Sequence, residues 1–385
     1  MSEDVGVYVH VPFCERICPY CDFAVVAARR LAPQAEADYV EALLRELEQQ
    51  RPTYEGRGLA TLYLGGGTPS LLSPGSIEQL VTAIRRAFPG EPAEVTLEVN
   101  PSTLERERLP GFAAAGVDRV SLGVQSFDDD TLRRLGRAHR ADEIDRSLEA
   151  IRAAGIPRLS LDLIMAAPAQ TLAGLRRDLE AAVARAPDHL SIYELTLEPG
   201  TPFGAAAEAG KLETASEDEA LAMHACLAPI LEPAGYRRYE ISSHARPGQE
   251  AIHNRRYWER RPVLGLGMGA VSSEPPSAEA PFGARRLNPR SLDGWQRMLA
   301  GGVPAERDVL SEAQAAGEAV FLALRTTTGL DLAAYRAEFG ALEDRFGALP
   351  GTLVEQGLLE RSGARLRLTP RGRLLSDSVF EAFMP

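Results

Sequence analysis

At 385 residues, with 25% charged and 45% hydrophobic side chains, the chain has the composition of a soluble globular protein large enough for more than one domain. Its formal net charge of −12 disfavours nonspecific binding to nucleic acid or to an anionic membrane surface. No apolar run reaches bilayer-spanning length, the opening MSEDVG lacks the basic segment of a signal peptide, and cysteines are sparse, so a cytoplasmic, reduced setting is expected.

The first predicted strand, 5–11, runs into YVHVPFCERICPYCDF, where Cys14, Cys18 and Cys21 crowd into one loop. Thiolates so close repel one another unless a soft metal centre neutralises them, and an iron–sulfur cluster or zinc are the candidates. A closed zinc site normally takes four ligands in two separated pairs. The spacing C-x3-C-x2-C supplies no second pair, and Cys226 lies in the apolar helical run MHACLAPI, where it reads as a core residue. A cluster held by these cysteines would keep one iron open. With His10 as a fourth ligand, a zinc site remains a second possibility.

Further strands are predicted at 59–64, 93–99, 119–124, 159–165 and 190–197, with amphipathic helices at 35–50, 76–88, 141–154 and 172–184 between them. Alternation of this kind gives a parallel sheet with helices outside, and six such units make a partial barrel or an open α/β sheet. In parallel α/β folds ligands bind at the carboxyl ends of the strands. The unusual motifs fall there: the cysteine loop, Gly65-Gly66-Gly67-Thr68-Pro69, Glu98 with Asn100, Gln125 with Ser126, Asp162, and Tyr193 with Glu194. The glycine triplet is compatible with a plain tight turn or with close approach to a ligand. Asp162 stands out, because LSLDLIM sets one carboxylate in an apolar strand where burial demands a partner.

Residues 1–200 are therefore expected to form the barrel. Residues 201–300 form an extension containing the HNRRYW string at 253–258 and a long surface loop at 273–292, and residues 301–385 form a helical cap with a short hairpin, resembling a winged helix. Arginines 361, 365, 367, 371 and 373 in the cap are countered by acidic neighbours without an aromatic stacking series, so no nucleic acid is expected as a partner.

The pattern C-x3-C-x-Tyr-C, with Tyr20 beside Cys21, resembles the signature of radical S-adenosylmethionine (SAM) proteins. The longer string resembles the branch that contains the oxygen-independent coproporphyrinogen III dehydrogenase and a haem chaperone. The resemblance implies a partial (β/α)6 barrel in which Cys14, Cys18 and Cys21 hold a 4Fe-4S cluster and SAM occupies the open iron. It carries Tyr8, Tyr20, Gly66, Gly67, Thr68, Glu98, Gln125, Arg137 and Asp162 onto cluster-flanking or SAM-binding positions. It carries His253 onto a haem-ligand position, where the alternative is a hydrogen bond anchoring this region to the barrel. Phe23 stands where the dehydrogenase usually has another cysteine, which favours the chaperone branch. The partners implied are haem or a porphyrin, a haem-acceptor protein and, if the centre is redox active, an electron donor.

Overall fold

The computed structural model describes residues 4–28 and 30–385. Six parallel strands form its centre: β1 Val5–Val11, β2 Leu59–Gly66, β3 Glu94–Val99, β4 Arg119–Gln125, β5 Arg158–Met165 and β6 His189–Glu194. The longer helices between them are α1 Pro33–Gln50, α2 Pro74–Ala87, α3 Thr103–Ala114, α4 Ala141–Ala153 and α5 Leu172–Ala184.

Local chemistry explains these helices. In α2 the Ser73 hydroxyl accepts from Ser76 N, Pro74 opens the first turn, and Ile77, Leu80, Val81 and Ile84 then recur on one buried face. The strands divide their residues by side. Leu62, Leu97, Leu122, Leu161 and Leu190 enter the apolar core with the helices. The alternate residues are polar and meet one another across the inner face, as Tyr63 does Glu98 and Ser121 does Asp162.

The sheet continues beyond the six strands. On one side β7 Arg237–Arg238 and β8 Ser243–Ala245 form an antiparallel hairpin against β6. On the other, β9 Val263–Leu266 lies parallel to β1 and is followed by antiparallel β10 Val271–Glu274, β11 Ala284–Leu287 and β12 Glu306–Val309. The order β12-β11-β10-β9-β1-β2-β3-β4-β5-β6-β8-β7 is linear, so the barrel stays open.

Within the surface loop expected at 273–292, residues 273–274 and 284–287 instead belong to β10 and β11, and 275–283 connects them. Its Pro, Ala and Ser content hid the hairpin, whose Arg286 and Asn288 are buried on Glu46 of α1.

Past α6 Glu217–Leu231, the HNRRYW string forms α7 Ile252–Trp258. The tail opens with α8 Glu312–Arg325 and contains a separate small sheet: β13 Leu330–Asp331, then three short helices, then the hairpin β14 Leu359–Ser362 and β15 Arg365–Leu368. That is the order of a winged helix, and it has its own core around Tyr335, Phe339, Leu353, Leu366 and Phe383. Arg361 pairs with Glu343, Arg365 with Asp331, and Arg367 and Arg371 donate to backbone carbonyls.

Candidate functional site

A cavity of about 770 Å³ opens at the carboxyl ends of the strands. Cys14, Cys18 and Cys21 line it, together with Tyr20, Gly66, Gly67, Thr68, Glu98, Gln125, Arg137 and Asp162.

The cysteine loop is tied down at both ends. Val26 N donates to the Pro12 carbonyl and Ala28 N to that of Cys14, while Cys21 N closes a turn on Cys18 O. The glycines after β2 serve this docking. Gly66 has φ +109, and a Cβ there would lie 2.4 Å from the His10 ring; one on Gly67 would lie 2.7 Å from the Pro12 carbonyl. Gln125 ends β4 at φ +65, a costly conformation for a side chain with a Cβ, held by the register shift between β4 and β5.

A hydrogen-bonded chain joins two of the thiols. Thr68 Oγ1 donates to Cys14 Sγ at 3.7 Å, Asn100 Nδ2 donates to Thr68 Oγ1 at 3.1 Å, Arg137 Nη2 donates to Asn100 Oδ1, and Arg137 Nη1 reaches Cys18 Sγ at 3.6 Å. Burial pushes the Cys14 thiol up to about 11, so it ionises only when a cation compensates its charge.

Glu98 accepts from Tyr63 Oη at 2.7 Å and from Gly66 N at 2.9 Å, and burial raises its carboxyl to about 7. Asp162, also raised by burial, accepts from Ser121 Oγ at 2.9 Å. Two desolvated carboxyls facing one cavity attract a cation.

The residues fit a 4Fe-4S cluster and SAM. The thiols share one cavity, with N–H and O–H donors to sulfur of the kind that tune a cluster. Among the described residues no three His, Cys, Asp or Glu side chains converge as one metal ion requires, whereas a cluster spreads its thiolates over different irons. His10 is unsuited to complete a zinc site. Its Nε2 is bonded to Ala24 O at 2.7 Å and its Nδ1 to Tyr8 Oη at 3.0 Å.

Two expected positions lie elsewhere. Tyr8 is not among the cavity residues; it bonds His10, and its ring stands 6.0 Å from that of Tyr63. His253 is fully buried toward the amino ends of the strands. Its Nδ1 bonds Thr61 Oγ1 at 2.8 Å and its Nε2 bonds Tyr257 Oη at 3.1 Å, so neither nitrogen is left for a haem iron. Glu94 accepts from the Ile252 and His253 amides and caps this helix, which plugs the barrel floor. The anchoring role, not the ligand role, matches this geometry.

The expected cap also needs correcting. Among the described residues, no cavity-lining residue lies beyond Glu198, and the tail instead meets the plug helix and the flanking strands, with Glu318 on Arg260 and Arg285 and with Arg325 on Glu240. Sequence reasoning missed Tyr63, Ser121 and Glu105. The first two follow from strand alternation with Glu98 and Asp162; Glu105, buried and bonded to Ser70 Oγ and Asn100 N, carried no signal.

Residues 8–182 match the radical SAM superfamily and residues 310–375 the HemN C-terminal domain. The heme chaperone HemW of Bacillus subtilis is 33% identical over 385 residues, covering 98% of this chain and 99% of that protein. HemW of Synechocystis is 37% identical over 333 residues, covering 84% of this chain and 79% of that one. Among solved structures, coproporphyrinogen III oxidase (HemN) from Escherichia coli, a radical SAM enzyme, superposes with a TM-score of 0.83 at 25% identity, covering 99% of this chain and 90% of that one.

Proposed function

The chain belongs to the heme chaperone HemW family of radical SAM proteins, and from that premise we propose that it binds haem and delivers it to an acceptor protein while carrying a SAM-bound 4Fe-4S cluster. The observation that carries this reading is the convergence of Cys14, Cys18 and Cys21 with Glu98, Arg137 and Asp162 on one cavity in a chain related to HemW over its whole length. A cytoplasmic setting accords with it, and among the described residues no helix is long and apolar enough to cross a membrane.

In this reading the thiolates of Cys14, Cys18 and Cys21 hold the cluster. When bound, the cluster would supply single electrons and SAM a sulfonium able to accept one. Arg137 and Thr68 donate to sulfur and offset its charge. Glu98 and Asp162 receive the cationic portion of the cofactor, and Gly66 and Gly67 allow its close approach. Tyr20, raised by burial, stays a neutral donor beside Cys18. Gln125 lines the cavity at the end of β4.

The test is anaerobic reconstitution followed by haem titration, with coproporphyrinogen III, SAM and a reductant supplied to the same preparation. Stoichiometric haem binding without porphyrin turnover is expected. Absence of haem binding would remove the chaperone reading. The structural likeness to HemN favours a second reading, a coproporphyrinogen III dehydrogenase, and formation of protoporphyrinogen IX would establish that instead.

A further inference from the structure

The chaperone reading leaves open where the macrocycle lies, because His253 is sealed in the barrel floor and the tail's arginines are paired away from the cavity. The cavity mouth offers a different surface. Large apolar side chains are mostly buried in this protein, yet Ile17 is 44% exposed, Phe23 69% and Tyr193 46%, and all three line the same cavity. Isolated exposed apolar residues need no explanation; several around one concave opening do.

The exposure of Phe23 is built in by its neighbours. The next residue, Ala24, gives its carbonyl to His10 Nε2 at 2.7 Å. Gly269 approaches the same alanine so closely that a Cβ there would lie 2.5 Å from Ala24 Cβ. On the other side, Arg290 binds the carbonyl and carboxylate of Asp22. A backbone pinned on both flanks holds the phenyl ring outward.

The chemistry of the rim selects its occupant. Arg16 lies beside Ile17 on the lining and makes no ion pair among the described residues. A flat apolar face with a guanidinium next to it suits a planar macrocycle bearing carboxylates. A few side chains around a concave mouth fall well short of the roughly 800 Å² per partner of a stable protein interface.

We propose that Ile17 and Phe23 form the platform on which haem lies at the mouth of the cluster cavity, with Arg16 receiving a propionate. This rests on the chaperone reading and gives it a place. Haem would then be held by the same loop that carries the thiolates.

The test uses full-length, cluster-reconstituted protein titrated with haem and followed by its Soret absorbance, with iron and sulfide content measured on every sample. The double variant Ile17→Ala/Phe23→Ala is expected to keep its cluster and bind haem about tenfold more weakly or worse, with Phe23→Leu retaining most of the affinity. Arg16→Gln should weaken haem but leave haem dimethyl ester unaffected. Wild-type haem affinity in the double variant with its cluster intact overturns the placement while leaving the chaperone reading standing. The same unchanged affinity with loss of self-association in sedimentation would assign the platform to a second copy of this chain. Failure of the wild-type protein to bind haem overturns both.

Discussion

Glu98 shows at the scale of one residue how a site prepared for a cation behaves without it. In the folded, ligand-free protein burial raises its carboxyl from 4.5 to about 7. Between those values the folded state holds a proton that the unfolded chain has released, so stability falls as pH rises and the loss is complete above about 7. The difference corresponds to at most about 3–4 kcal/mol, less for solvent reaching the carboxyl through the cavity. Wild-type melts from pH 5 to pH 8 combine this fall, and that of Glu105, which burial also raises to about 7, with the opposite trend of His139, His189, His244 and His253, which burial holds neutral while the unfolded chain protonates them. The contribution of Glu98 is therefore read by difference: the Tm of Glu98→Gln relative to wild type should rise from pH 5 to pH 8. Superimposable profiles for variant and wild type would mean that Glu98 is already ionised in the folded state. His253 makes the complementary case. Burial holds it neutral, down to about 3, and both nitrogens are bonded within the barrel floor. His253→Ala should therefore destabilise the fold by about 2–4 kcal/mol, through the cavity and the unpaired Thr61 and Tyr257 hydroxyls. Its haem affinity should match wild type, and a specific loss of haem with unchanged stability would reinstate it as the ligand.

At the scale of elements, Glu46 explains how a chain segment with a loop-like composition becomes sheet. This fully buried carboxylate accepts from Gly267 N at 2.8 Å, Asn288 Nδ2 at 2.7 Å and Trp295 Nε1 at 2.9 Å, and faces Arg286 at 3.3 Å. It fastens α1 to the turn after β9 and to the far end of the β10–β11 hairpin. Glu46→Ala would strand all these donors and a buried arginine, which predicts a loss of about 3–5 kcal/mol in urea unfolding. A loss below about 1 kcal/mol would show that water satisfies them. The same carboxylate marks the limit of what the sequence discloses. Strands β1 to β6 announce themselves through Val, Leu and Ile runs, and the thiolate loop through its spacing, because these depend on local pattern. Strand β9 is hidden in VLGLGMG, since Gly265 is there to let Val271 pass, its Cβ position lying 2.5 Å from the Val271 carbonyl. Long-range partners such as Glu46 with Arg286 leave no periodic trace. At the site, Cys14, Cys18, Cys21, Gly66 and Asp162 are readable from spacing or from misplaced polarity, whereas the direction His253 faces depends on Thr61 and Glu94, far away in sequence.

Across the whole molecule, the winged-helix tail stays attached to the barrel without touching the cavity. Glu318 of α8 faces Arg260, just past the plug helix, at 3.0 Å and also binds Arg285 of β11. Arg325 pairs with Glu240 at 3.4 Å, and its guanidinium covers the Trp258 ring at 4.3 Å. Each contact lands on the plug helix or on the flanking strands of the sheet, so the cavity mouth stays open while the floor is braced. Removing the shared carboxylate in Glu318→Ala would leave Arg285 without its carboxylate and Arg260 with Glu338 alone, a loss of about 2 kcal/mol concentrated at this junction. Because the tail has a core of its own, the loss should separate the two bodies rather than unfold both together. Calorimetry should then resolve two transitions where the wild type gives one, and limited proteolysis should cut faster between β12 and α8. Cluster content should stay unchanged, since no cavity residue belongs to the tail. A single, uniformly lowered transition would instead mean that barrel and tail fold as one cooperative unit, and that the open mouth depends on both.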